Sequence, residues 1–125
     1  MYLTRRRNRM TTWPASIDPN IFRGKIVEVV CFGSNSVSLH FGERLRIVIT
    51  GGFSHVTGGR RSSYGVTAPI GPCTLVNIAG SEVESGVVAN DELTLRINNG
   101  DEVVVHNDFG HESYQLIVGD DTYYV

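Results

Sequence analysis

The sequence predicts an all-β protein: an antiparallel sandwich or partly open barrel of about seven to nine strands, built from two similar halves. Three observations predict it. From Asp18 onward apolar residues recur with period two. Short breaks rich in Gly, Asn and Ser separate the alternating runs. The order of runs and breaks in the first half then returns in the second.

Residues 1–16 read as a basic tail, because Arg5, Arg6, Arg7 and Arg9 repel one another in a short block. Trp13-Pro14 is placed to dock that tail onto the body. Residues 17–125 form the single domain, with halves at about 18–72 and 73–125. KIVEVVCF (25–32) is nearly continuous in apolar residues and reads as a well-buried strand. In VSLHF (37–41), Val37, Leu39 and Phe41 share one face and leave Ser38 and His40 on the other. In RLRIVIT (44–50), Leu45, Ile47 and Ile49 do the same. Gly33-Ser34-Asn35-Ser36 and Gly42-Glu43 supply the turns of a three-stranded meander. SHVTGGRRSSYGVTAPIGP (54–72) reads as a long loop with room for one edge strand.

The second half repeats the pattern. VESGVVAN (83–90), ELTLRI (92–97) and EVVVHN (102–107) form a second meander, turned by Asp91-Glu92 and by Asn98-Asn99-Gly100-Asp101. The Asn-Gly pair predicts a type I′ hairpin there. YQLIVG (114–119) and TYYV (122–125) close the chain. A shift of 56 matches Gly24 with Gly80, Val37 with Leu93, Leu39 with Leu95 and Phe41 with Ile97. A turn two residues longer in the second half then sets Leu45 on Val103 and Ile47 on Val105. GGFSH (51–55) meets NDFGH (107–111), so His55 meets His111. PNIFRG (19–24) and CTLVNIAG (73–80) each read as a helical turn ended by Gly, which tolerates the left-handed position. Internal duplication is the economical account.

The chain has 125 residues and 41% hydrophobic content, which excludes a disordered composition. A domain of this size buries about two-thirds of its unfolded surface and needs no staple. No apolar run approaches the roughly 20 residues of a membrane span, and no apolar stretch follows the basic N-terminus. A cytoplasmic protein is expected. Cys31 and Cys73 fit no zinc or redox spacing and read as reduced thiols. Net charge is −2, but residues 1–79 carry ten Arg/Lys against three acids, and residues 80–125 carry Arg96 alone against ten. An acidic half of this kind steers a basic partner.

Asp108-Phe109-Gly110 spells a kinase metal-binding triplet. A kinase also needs a glycine-rich loop, a strand lysine and a catalytic-loop Asp; here Lys25 is the only lysine, no HRD occurs, and Gly51-Gly52 and Gly58-Gly59 are not GxGxxG. The triplet reads as a strand-exit bend. No GxSxG occurs and nothing in the sequence ties a nucleophile to a base, so no catalytic residue is assigned. His55 and His111 at equivalent points, with Asp108 or Glu112 as an oxygen ligand, lack the close spacing of a preformed ligand set. No metal or cofactor is assigned. Basic residues without interleaved aromatics argue against nucleic acid.

A partner surface is expected instead at Asp101, Glu102, Asp108, His111, Glu112 and Tyr114, acids beside a tyrosine anchor. The bland reading of Glu112 is structural, tying the last hairpin to residues 51–55. ELTLRINNGDEVVVHNDFGHESYQL resembles the C-terminal signature of a small bacterial domain family of unknown function, through Leu93, Leu95, Gly100, Val103, Val105, Glu112, Tyr114 and Leu116. Gly24, Val27, Leu39 and Phe41 extend the resemblance over about 20–125, with Tyr114 where Trp is common. The family is similar to immunity proteins encoded beside bacterial toxins. The resemblance implies a non-enzymatic, immunity-type inhibitor that docks a toxin domain, and it transfers no catalytic residue. The alternatives are a binder of a small anionic ligand, held between the halves by Arg60, Arg61 and His55, and a structural module that forms a homodimer through free strand edges.

Overall fold

The computed structural model describes residues 12–66, 73–107 and 113–125. Among these, ten strands form two antiparallel five-stranded sheets that do not close into a barrel. A 3-10 helix (Pro19–Phe22) leads to β1 (Val29–Phe32), β2 (Val37–His40), β3 (Leu45–Ile49), β4 (Phe53–Thr57) and β5 (Arg60–Tyr64). A second 3-10 helix (Thr74–Ile78) leads to β6 (Val83–Ala89), β7 (Glu92–Ile97), β8 (Glu102–Val105), β9 (Tyr114–Val118) and β10 (Asp121–Tyr124). The sheet orders are β1-β2-β3-β9-β10 and β6-β7-β8-β4-β5. Each sheet is the meander of one half completed by the final hairpin of the other.

The two halves are related by a pseudo-twofold that is written in the hydrogen bonds. Gly24 N–H donates to Val83 O and Gly80 N–H to Val27 O. Val27 N–H donates to Ser81 O and Val83 N–H to Lys25 O. Thr50 N–H donates to Ser113 O and His106 N–H to Gly52 O. The antiparallel bridge Ile26↔Glu82 joins two residues that are themselves equivalent. A shift of 56 holds from the first 3-10 helix through β3, since Leu39↔Ile47 and Leu95↔Val103 pair alike. A shift of 61 holds across the last hairpins, since Ile47↔Leu116 matches Val103↔His55.

This register corrects two expectations. The β7–β8 turn is no longer than the β2–β3 turn, so Leu45 corresponds to Asp101 and Ile47 to Val103. His55 corresponds to Leu116, not His111. The extra residues lie in the β8–β9 crossover, and the shared Phe-x-His spelling concealed them. Residues 108–112, and with them the bend expected at Asp108-Phe109-Gly110, lie outside the described residues.

Each meander buries alternate residues because side chains of a strand point to opposite faces. Val37, Leu39, Phe41, Leu45, Ile47 and Ile49 meet Leu93, Leu95, Ile97, Val103 and Val105 in one core, with Phe22, Leu75 and Ile78 from the 3-10 helices. The hairpin β4–β5 raises the count to ten strands, where a long loop with room for one edge strand is expected. Gly58 and Gly59 at φ +58° and +80° make its two-residue turn. Asn90 and Asp91, both at positive φ, make the type I′ turn between β6 and β7. At residues 98–100 only Gly100 has positive φ, so the predicted type I′ hairpin is a three-residue turn instead. Strand β1 is an edge, not the well-buried strand its composition predicts: Val29, Cys31 and Phe32 are exposed. Trp13 docks as expected. Its indole donates to Ile17 O at 2.7 Å and its ring lies 6.4 Å from that of Tyr114.

Candidate functional site

Period-two alternation on β4 turns Phe53 and His55 inward and Ser54 to the other face. His55 is 1% exposed. Its Nε2 lies 2.9 Å from Asp101 Oδ2 and its Nδ1 lies 2.6 Å from Thr74 Oγ1. Asp101 is fixed at the β7–β8 turn, where its N–H donates to Asn99 Oδ1 at 2.8 Å. Thr74 opens the second 3-10 helix and is exposed. The chain hydroxyl–imidazole–carboxylate therefore runs from the surface into the sandwich.

Burial pushes the Asp101 carboxyl upward, but hydrogen bonds from His55 and Thr57, the charge of His55 and the contact with Asn99 outweigh it and hold the group below the usual carboxylate range. An ionised Asp101 accepts the Nε2–H of His55. Nδ1 is then left to accept the Thr74 hydroxyl proton. The same positions in the other sheet are Leu45 and Leu116. The fold thus accommodates an aliphatic pair here as well as a hydrogen-bonded polar one. Replacing both partners of a buried hydrogen bond by apolar groups of similar shape is nearly neutral for stability, so this polar pair is a candidate for function.

The sequence did not reveal this chain, because its members lie 19 and 46 residues apart. One signal was present: His55 falls at an apolar position of the Phe53–His55 alternation. On the outer face, Ser54 Oγ lies 2.8 Å from both Ser63 Oγ and His106 Nε2. Clefts among the described residues include the following two. One, of about 520 Å³, is lined by Ile21, Lys25, Phe41, Arg44, Leu45 and Val118 among others. The other, of about 570 Å³, lies where the crossovers meet and includes Thr50, Glu92 and His106.

The expected partner surface is not assembled as foreseen. Tyr114 is fully buried and its hydroxyl donates to Asp91 O at 3.0 Å. Asp101 is 7% exposed and turned to His55. Glu102 is half-buried and paired with Arg96 at 2.9 Å. Asp108, His111 and Glu112 lie outside the described residues. The alternation that buries Val103 and Val105 left no outward place for Asp101. Of the residues expected to hold an anionic ligand, Arg60 and Arg61 are exposed on β5 while His55 is buried, and neither of the clefts above includes them. No group of three His, Cys, Asp or Glu among the described residues is placed to hold a metal. No helix among them is long and apolar enough to cross a membrane.

What the surface does offer is two contrasting margins. The bridge Ile26↔Glu82 brings together the segments that lead into β1 and β6. That margin exposes Ile26, Val29, Phe32 and Val87 by 40–57%. Glu28, Glu82 and Glu84 are exposed along it, with Arg23 and Lys25 at its start. The opposite margin carries β5 and β10. The chain matches no known family, no curated protein and no solved structure.

Proposed function

We propose that this chain is a non-enzymatic protein-binding module whose docking face is the β1–β6 margin. The exposed apolar strand β1 carries the reading. Val29, Cys31 and Phe32 stand on an edge strand with no charged residue among its four positions, and edges are ordinarily blunted by charge. Exposed apolar side chains rimmed by Glu28, Glu82 and Glu84 have the make-up of a protein interface with a basic partner. With the acidic C-terminal half, and with the resemblance to immunity proteins, the partner is the basic face of a bacterial toxin domain. The test expresses the chain together with each protein encoded beside its gene. A complex is expected with one of them, lost in Val29→Glu/Phe32→Glu and in Glu82→Lys/Glu84→Lys. A complex that survives both pairs of substitutions sinks the reading.

The order Thr74–His55–Asp101 favours a second reading, hydrolysis of an activated ester. Thr74 Oγ attacks the carbonyl carbon while its proton passes to His55 Nδ1, and that proton leaves with the alcohol. Water then cleaves the acyl-threonine, giving acid and restoring Thr74. Release of nitrophenol from nitrophenyl acetate, abolished by Thr74→Val in a folded protein, would support it. Equal rates in Thr74→Val remove it.

A further inference from the structure

Strands β5 and β10 each pair on one side only. Because the leading segments of β1 and β6 are bridged at Ile26↔Glu82, those two edges share one margin and β5 and β10 share the other. The pseudo-twofold makes β5 and β10 equivalent. Thr57↔Arg60 closes one hairpin and Val118↔Asp121 closes the other, each over a two-residue turn that begins with a glycine of positive φ. Equivalent edges invite the same pairing, yet they carry opposite charge. Arg60 corresponds to Asp121. Residues 53–64 hold Arg60 and Arg61 and no acid; residues 114–125 hold Asp120 and Asp121 and no Arg or Lys. All four are exposed, and among the described residues none of them is in an ion pair.

We propose that the β5–β10 margin docks a second copy of this chain. Strand β5 of one copy lies antiparallel to β10 of the other, and the reciprocal contact forms at the same time, closing a twofold dimer. The charges select this pairing over its competitors. Contacts of β5 with β5, or of β10 with β10, would set like charges side by side, whereas β5 with β10 sets opposite ones together. The backbone is prepared for it. Arg60 and Asp121 close their two-residue turns, so the next residues, Arg61 and Thr122, turn their N–H and C=O to the free edge. Setting Arg61 opposite Thr122 pairs those free groups. It also puts Arg60 diagonal to Asp121 on the same face, within reach of a long side chain. The rest of both strands is Ser62, Ser63, Tyr64 and Thr122, Tyr123, Tyr124, without proline and with tyrosines of the type that anchor interfaces. Two such contacts about one axis make the interface closed and self-limiting, and each sheet runs on into the partner's.

Sedimentation of the full chain tests this. At roughly 50 mM salt the wild type is expected to run at twice its 13.7 kDa, with its dissociation constant weakened at least about tenfold near 1 M salt. Arg60→Glu/Arg61→Glu and Asp120→Arg/Asp121→Arg are each expected to be monomeric. An equimolar mixture of the two is expected to form a heterodimer, because one then has two acidic edges and the other two basic ones. A wild type that stays monomeric at low salt overturns the proposal. So does a dimer that both variants retain, or a mixture that fails to associate when each variant is folded by circular dichroism. Binding of a heterologous protein at the β1–β6 margin is not affected by any of these outcomes.

Discussion

His55 and Leu116 occupy one and the same place in the two halves, each facing across a strand pair to the equivalent residues Val103 and Ile47. Asp101 stands where the first half has Leu45. Removing one member of the hydrogen-bonded pair leaves the other short of a buried partner. His55→Leu leaves Asp101 deprived of its His55 partner and is expected to cost about 1–3 kcal/mol of unfolding free energy. His55→Leu/Asp101→Leu copies the Leu116/Leu45 pair of the other sheet and is expected to return to within about 1 kcal/mol of wild type or to exceed it. Urea denaturation of the three proteins checks this. A double variant no more stable than the single one would show that the two sites are not interchangeable.

The same pair sets an acid limit. Asp101 titrates below the usual carboxylate range in the folded protein, and its unfolded value is 3.8. A depressed carboxyl contributes stability that is present above the unfolded value and lost as pH falls through the folded one. The wild type is therefore expected to lose stability on acidification below about pH 4, and the loss attributable to Asp101 disappears in Asp101→Asn. Denaturation midpoints measured from pH 7 down to pH 3 decide it; parallel curves for the two proteins would contradict the assignment.

How much of this was legible in the sequence depends on the range of the signal. Alternation placed Val37, Leu39, Leu93 and Leu95 inward, because a strand's two faces are a local property. Gly24 and Gly80 marked the ends of both helical turns, since each adopts positive φ. Alternation cannot say which strand lies at an edge, so the apolar run around Val29 reads in the sequence as an interior strand. It cannot count crossover residues either, so His55 was aligned with His111 instead of Leu116. The Thr74–His55–Asp101 chain joins three elements by tertiary placement alone. The charge asymmetry was plain in the sequence. That Arg60 and Asp121 are equivalent needed the pairing register.

Tyr114 makes a spectroscopic prediction. Burial first, then the nearby charges of Asp91 and Glu92, raise its phenol well above the ordinary value of 10.0. A group raised in the folded state favours the native protein fully below its unfolded value, and that advantage fades only as pH climbs through the folded one. Alkaline titration by absorbance is expected to show one of the five tyrosines silent past pH 11 until the fold breaks. In Tyr114→Phe that late component vanishes, at a stability cost of about 1 kcal/mol for the lost bond to Asp91 O. All five tyrosines titrating together near pH 10 would contradict it.

Gly86 on β6 is where the first 3-10 helix comes closest to a sheet. A methyl group there would fall on the Pro19 carbonyl oxygen, and the Gly86 N–H donates to Asn20 Oδ1 at 3.2 Å. The helix itself is held by Asp18, whose carboxylate accepts from Asn20 N–H at 2.9 Å. Backbone, unlike a side-chain tip, cannot swing aside, so Gly86→Ala must lift the helix and with it Phe22 from the core. A loss of about 1–3 kcal/mol is expected, as for other overpacked sites. Gly65→Ala is the control: its Cβ meets open space, and a change within about 0.5 kcal/mol is expected. If urea midpoints for the two alanine variants coincide, the helix is not seated against β6 as closely as this contact requires.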